Sequence, residues 1–146
     1  MEQSRKYLKW SSVAVLSLVG VYILELISEL LWGEINSAVI PEGASENILL
    51  ITKIFIVAVS VLLLLPQIYV GIKGLMIAKK PTCTKAHIVW AVILLVFAAV
   101  GVVDPIVGLI NGGGVYDNVK SLSGIALELV VYYDYIKYAR EVRKGC

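Results

Sequence analysis

The sequence predicts an all-α, polytopic membrane protein: a four-transmembrane-helix antiparallel bundle with its N- and C-terminal ends both on the cytoplasmic side. Three observations carry this expectation. The 146 residues are 59% apolar and only 16% charged, against about 45–50% and about 25% in a soluble domain. Mean hydropathy is +0.86. Four apolar stretches each approach the roughly 20 residues needed to cross about 30 Å of hydrocarbon. The basic residues between those stretches fall alternately on one side and then not on the other. This composition excludes an ordinary cytosolic globule, a disordered tail and a nucleic-acid module, and the length fits a single domain over 1–146.

The first helix is expected over about residues 7–32. Its basic start (Arg5, Lys6, Lys9) resembles a signal peptide, but no small-x-small cleavage site follows and Glu25 and Glu29 lie inside the run. A retained helix is the expectation. The second helix spans about 48–78 and is long enough to tilt or protrude. Pro66 lies inside it, removes the bond to the Leu62 carbonyl and is expected to kink it. The third spans about 86–110, with Thr84 offered as its N-cap. Asp104-Pro105 marks its outer end, because the residue before a proline avoids helical geometry. The fourth spans about 119–140. Helices are expected because an isolated strand leaves its backbone unsatisfied in lipid, and none of the four runs alternates as a barrel strand does.

Orientation follows from the positive-inside rule. Arg5, Lys6 and Lys9 precede the first span; Lys73, Lys79, Lys80 and Lys85 surround the second connection; Lys137, Arg140, Arg143 and Lys144 end the fourth. These are eleven of the thirteen basic residues. The first connection carries Glu34, Glu42 and Glu46, the third Asp104 and Asp117, and neither has a base. Ile40-Pro41-Glu42-Gly43 and Asn111-Gly112-Gly113-Gly114 read as turns. The latter lacks the Gly-Lys-Ser/Thr of a phosphate loop. Cys83 and Cys146 are far apart, and with the lone His87 they make neither a disulfide framework nor a zinc site. No metal or cofactor is expected. His87, at the inner start of the third helix, reads as a solvated end residue.

Ionisable groups inside membrane helices cost roughly 2.5–3.5 kcal/mol each on insertion scales, so each needs an account. Glu128 is the deepest, about 13 Å from the outer boundary at 1.5 Å per residue. It shares a stripe of polar or small residues with Asn118, Ser121, Gly124, Tyr132 and Tyr135. It reads either as an ion- or proton-binding carboxylate lining a path, or as a buried carboxyl that holds helices in register. On the second helix, Lys53, Ser60, Gln67 and Gly74 repeat every seven residues, which keeps one face toward a partner helix. Glu25 and Glu29 share a face about 10 Å and 5 Å below the outer end of the first helix. Their depth matches Lys53, and Lys120 of the fourth helix is the second cation expected in this outer charged cluster. Lys53 alternatively snorkels to the headgroups. On the third helix, Ala91, Leu94, Ala98 and Gly101 offer a face of close approach.

Two functions from different classes fit. One is a channel or carrier subunit for an ion or small solute, whose binding residues are Glu128, Gln67, Ser60 and Ser121. The other is a non-catalytic structural or regulatory subunit of a membrane complex, whose polar stripes only specify packing. An enzyme is not expected: no arginine lies inside a span to hold an anionic cofactor, and there is no His or Cys cluster. Four helices hardly enclose a path, so a homodimer or a partner membrane protein within the bilayer of the cell membrane is implied.

Overall fold

The computed structural model describes residues 2–32 and 46–145. Among these residues there are five helices and no strand: α1 (Glu2–Trp32), α2 (Glu46–Lys79), α3 (Ala86–Gly101), α4 (Val103–Ile110) and α5 (Val115–Lys144). Three segments are long and apolar enough to cross a membrane: Glu2–Ser28, Leu50–Lys79 and Ala86–Ile110. α5 is as long as α1, but Lys120, Glu128, Asp134 and Lys137 interrupt its apolar residues. The turn at Ile40-Pro41-Glu42-Gly43 and the acids Glu34 and Glu42 lie outside the described residues, as does Cys146.

α2 packs against α1 and α3, and α5 packs against the same two, which makes a square of four antiparallel rods with α1 and α3 on one diagonal. The buried core gathers at the basic end of the square: Leu8 and Val15 of α1, Val70 and Ile77 of α2, Ile88 and Ala91 of α3, and Tyr132 to Val142 of α5. Ala91, Leu94 and Ala98 are buried as a face of close approach requires. The other half of the square is looser. Apart from Pro105, no residue of α4 is buried, and no residue of α5 before Tyr132 is.

Gly74 explains how the basic end closes. A Cβ there would collide with the Ser12 hydroxyl of α1 and with the Tyr135 ring of α5. Without one, Tyr135 reaches α2 and its hydroxyl donates to the Val70 carbonyl at 3.0 Å. Tyr135 is fully buried, so this bond satisfies a group that would otherwise be orphaned. Tyr135→Phe is therefore expected to lower stability by about 1 kcal/mol, read as a lower midpoint of thermal unfolding in detergent. Beyond it, Arg5 donates from Nε to the Ala78 carbonyl at 2.9 Å and from Nη2 to the Lys79 carbonyl at 2.6 Å. It thereby caps the C-terminus of α2, where carbonyls lack intrahelical partners. The Ser4 hydroxyl donates to Glu141 at 2.8 Å, and Tyr7 stacks on Tyr138 with ring centroids 4.9 Å apart.

Several local expectations are corrected. The residue before α3 is Lys85 rather than Thr84, with no side-chain cap; the Thr84 hydroxyl lies 3.3 Å from that of Thr82 instead. The third helix does not end at Asp104-Pro105. It breaks two residues earlier, at Val102, and resumes as α4 with Pro105 in its first turn. A first-turn proline gives up no intrahelical bond, so the ladder restarts with Ile106 N–H donating to the Val102 carbonyl at 3.4 Å. α4 then ends in a Schellman turn. Gly112 adopts φ +75°, and Gly113 N–H donates to the Gly108 carbonyl at 2.8 Å. The expectation at Pro66 is not among these corrections: α2 is helical on both sides of the proline, as a kinked helix is too, and the half-buried proline ring lines a groove of about 480 Å³ beside Trp90 and Phe97 of α3. His87 is not solvated: it is 1% exposed and sits edge-on to Tyr135, because the first turn of α3 tucks against α5.

Candidate functional site

The seven-residue stripe of α2 sinks progressively into the bundle. Lys53, Ser60 and Gln67 are half-buried and Gly74 is buried. Just above the closed basic end, this stripe meets carboxylates from two different helices.

Glu25 of α1 lies in a cleft of about 260 Å³ with Tyr22, Ser60, Leu64 and Gln67. Glu128 of α5 lies in a second cleft, about 240 Å³, with Gln67, Tyr132, Ile125 and the α3 residues Leu94, Phe97, Ala98 and Gly101. Gln67 and Leu63 belong to both. The amide of Gln67 thus stands between the two carboxylate-bearing clefts. Its Oε1 is buried and accepts no hydrogen bond from a described residue, and the Tyr132 hydroxyl, on a residue 1% exposed, has no partner among the described residues either. Each such orphan costs about 1–3 kcal/mol. Both clefts have room for several waters at about 30 Å³ apiece. An amide oxygen, a phenol and a carboxylate around one small volume offer oxygen ligands to a cation and proton acceptors to water or an ammonium group.

Glu25 shares its cleft with Ser60 and Gln67, and Lys53 is not among that cleft's walls. The placement follows from register. Leu16 of α1 faces Gly71 of α2, which places Glu25 opposite Ser60 and Leu64, and Lys53 lies seven residues, about 10 Å, nearer the acidic end. The side chain of Glu29 lies outside the described residues. Lys120 is exposed on α5 and lines neither cleft. Ser121 shares the helix face of Glu128 but is exposed and lines neither cleft. Of the residues the sequence singles out, the fold assembles Glu128, Gln67, Ser60 and Glu25, and leaves Lys53, Lys120 and Ser121 outside.

Two groups escape a reading by sequence. Tyr132 was a member of the Glu128 stripe, yet only the fold shows its hydroxyl beside Gln67 and Glu128 in one cleft. Asp134, six residues beyond Glu128, is half-buried against α1 in a cleft of about 300 Å³ with Tyr7, Trp10 and Ser11. A second carboxylate within one apolar run was the available signal. Among the described residues no three His, Cys, Asp or Glu side chains are grouped to hold a metal ion.

Comparison with protein-family models, with curated proteins and with solved structures finds no match to this chain.

Proposed function

We propose that the chain is a four-span protein of the cell membrane, both ends cytoplasmic, that forms all or part of a path for an ion or small solute. α5 is the fourth span. Its polar residues are tolerable in lipid because intramembrane ionisable groups that face a bundle or a water-filled cavity avoid the acyl chains. The single observation that carries the reading is Gln67, shared by the Glu25 and Glu128 clefts, with its Oε1 and the Tyr132 hydroxyl both lacking a partner among the described residues. Glu128 binds the ion or proton, Gln67 and Tyr132 supply neutral oxygens, and Ser60 and Glu25 line the approach. The packed core around Tyr135, Val70 and Gly74 closes the basic end. Two 240–260 Å³ clefts are small for a continuous path, which favours a second copy or a partner membrane protein completing it.

A second reading, a non-catalytic subunit, is favoured by the Tyr135 bond to the α2 backbone and the close fit at Gly74, both of which specify packing.

Thiol labelling separates the two and tests the topology. Native Cys83, exposed between α2 and α3, should resist an impermeant reagent applied outside intact cells. In a background with Cys83→Ser and Cys146→Ser, Ser60→Cys and Gln67→Cys should react with a small water-soluble reagent. Leu62→Cys, on the lipid side of α2, should not. Outside labelling of Cys83 would invert the topology, and inert thiols at both positions 60 and 67 would leave the packing reading.

A further inference from the structure

A separate feature stands at the basic end, away from the two carboxylate clefts. The N-terminal turns of α1 and the last turn of α2 flank a groove of about 910 Å³, lined by Arg5, Lys6, Lys9, Tyr7, Trp10 and Lys79, with Glu2 as the one acid among its walls. Arg5 is half-buried and pinned by its bonds to the Ala78 and Lys79 carbonyls. Those bonds use two of the five guanidinium N–H donors, so three remain on a group already held in place. Lys6 and Lys9 are three apart, hence on one face of α1, and Lys79 faces them from α2. Trp10 is 63% exposed and Tyr7 43% exposed. Amphipathic rings of this kind prefer headgroup depth, and both segments that form the groove are long and apolar enough to cross a membrane.

We propose that this groove binds the phosphate of an anionic phospholipid. Four cations from two helices surround it, and the fixed Arg5 fork matches a phosphate oxygen pair through charge-assisted bonds. The volume exceeds what inorganic phosphate needs and admits the glycerol linkage as well. Trp10 and Tyr7 offer apolar faces to the start of the acyl chains. Positive charge alone does not make such a site. None of the cations ending α5 is among the groove's walls, and Lys137 instead lies over the Tyr138 ring, 5.3 Å from its centroid.

The test measures phosphatidylglycerol retention by the purified full chain, against phosphatidylcholine, using native mass spectrometry. The groove variant is Lys6→Gln/Lys9→Gln/Lys79→Gln, which keeps Arg5 and its capping bonds. The control, Lys137→Gln/Arg140→Gln/Lys144→Gln, removes the same charge from α5. Circular dichroism establishes that both are folded, and the single Lys9→Glu variant serves if the triple is not. Phosphatidylglycerol should be preferred by the unmodified chain, weakened about tenfold or more in the groove variant and changed less than about twofold in the control, as local charge-assisted bonds require. Millimolar inorganic phosphate that leaves the lipid in place identifies the lipid as the source of the phosphate; displacement identifies free phosphate as the ligand of the same groove. Equal weakening in both triple variants, or no preference for phosphatidylglycerol in the unmodified chain, overturns the site.

Discussion

Gly74→Ala is expected to destabilise the bundle by about 1–3 kcal/mol, the range for adding a methyl group where none fits. Alanine is intrinsically the better helix former by about 1 kcal/mol, so propensity alone predicts the opposite sign. Space decides the matter. The added Cβ would lie 2.5 Å from Tyr135 Cε2 and 2.9 Å from its hydroxyl, and closer still to the Ser12 hydroxyl. Three helices meet there, and no side chain at the contact is free to rotate away: Ser12 and Tyr135 are both fully buried. The displaced Tyr135 also loses its bond to the Val70 carbonyl. Gly20 and Gly124 are internal controls, because a Cβ at either meets nothing within 4 Å. Gly20→Ala and Gly124→Ala should leave the unfolding midpoint unchanged or raise it. If all three substitutions behave alike, the basic end is not closed by this contact.

Glu128→Gln is expected to reduce flux through the protein to the level of empty vesicles while leaving the folded chain in the membrane. Glutamine has the same shape as glutamate and still donates and accepts hydrogen bonds beside Gln67 and Tyr132. It carries no charge and does not ionise near neutral pH. A path that depends on a carboxylate fails with this change, whereas a packing contact survives it, since amide side chains bond well between membrane helices. Thermal unfolding should shift by no more than a few degrees, because Glu128 is half-buried and no Lys or Arg lines its cleft. A large loss of stability with flux retained would reverse the assignment and make Glu128 a structural residue.

The helical architecture was legible because apolar run length and loop charge are local properties of the chain. The α2 stripe was legible too, since a seven-residue repeat needs only its own helix to define a face. What was hidden depends on how helices sit against each other. Depth counting placed Glu25 beside Lys53, yet the register is set at the far end, where Gly74 admits Ser12 and Tyr135, and that contact brings Glu25 to Ser60 instead. Ser121 lies on the right face of α5 but beyond its buried part, which begins at Tyr132, and periodicity within one helix does not report which turns a neighbour covers. His87 follows the basic connection and looks like a solvated end, but α3 starts inside the core, so its first turn is already covered by α5. Val102 rather than Asp104 breaks the third helix because a proline tolerated in a first turn displaces the break upstream.

In the proposed function, the carboxylate-bearing clefts on either side of Gln67 form part of a transmembrane path. Reconstituting the unmodified protein into sealed vesicles and following proton, monovalent-cation and small-solute movement with internal indicators tests it most directly. Flux of at least one species is expected above that of empty vesicles, abolished by Glu128→Gln and preserved by Glu141→Gln, a carboxylate on the same helix outside both clefts. Flux indistinguishable from empty vesicles for every species, from protein that unfolds cooperatively and is correctly oriented, would contradict it.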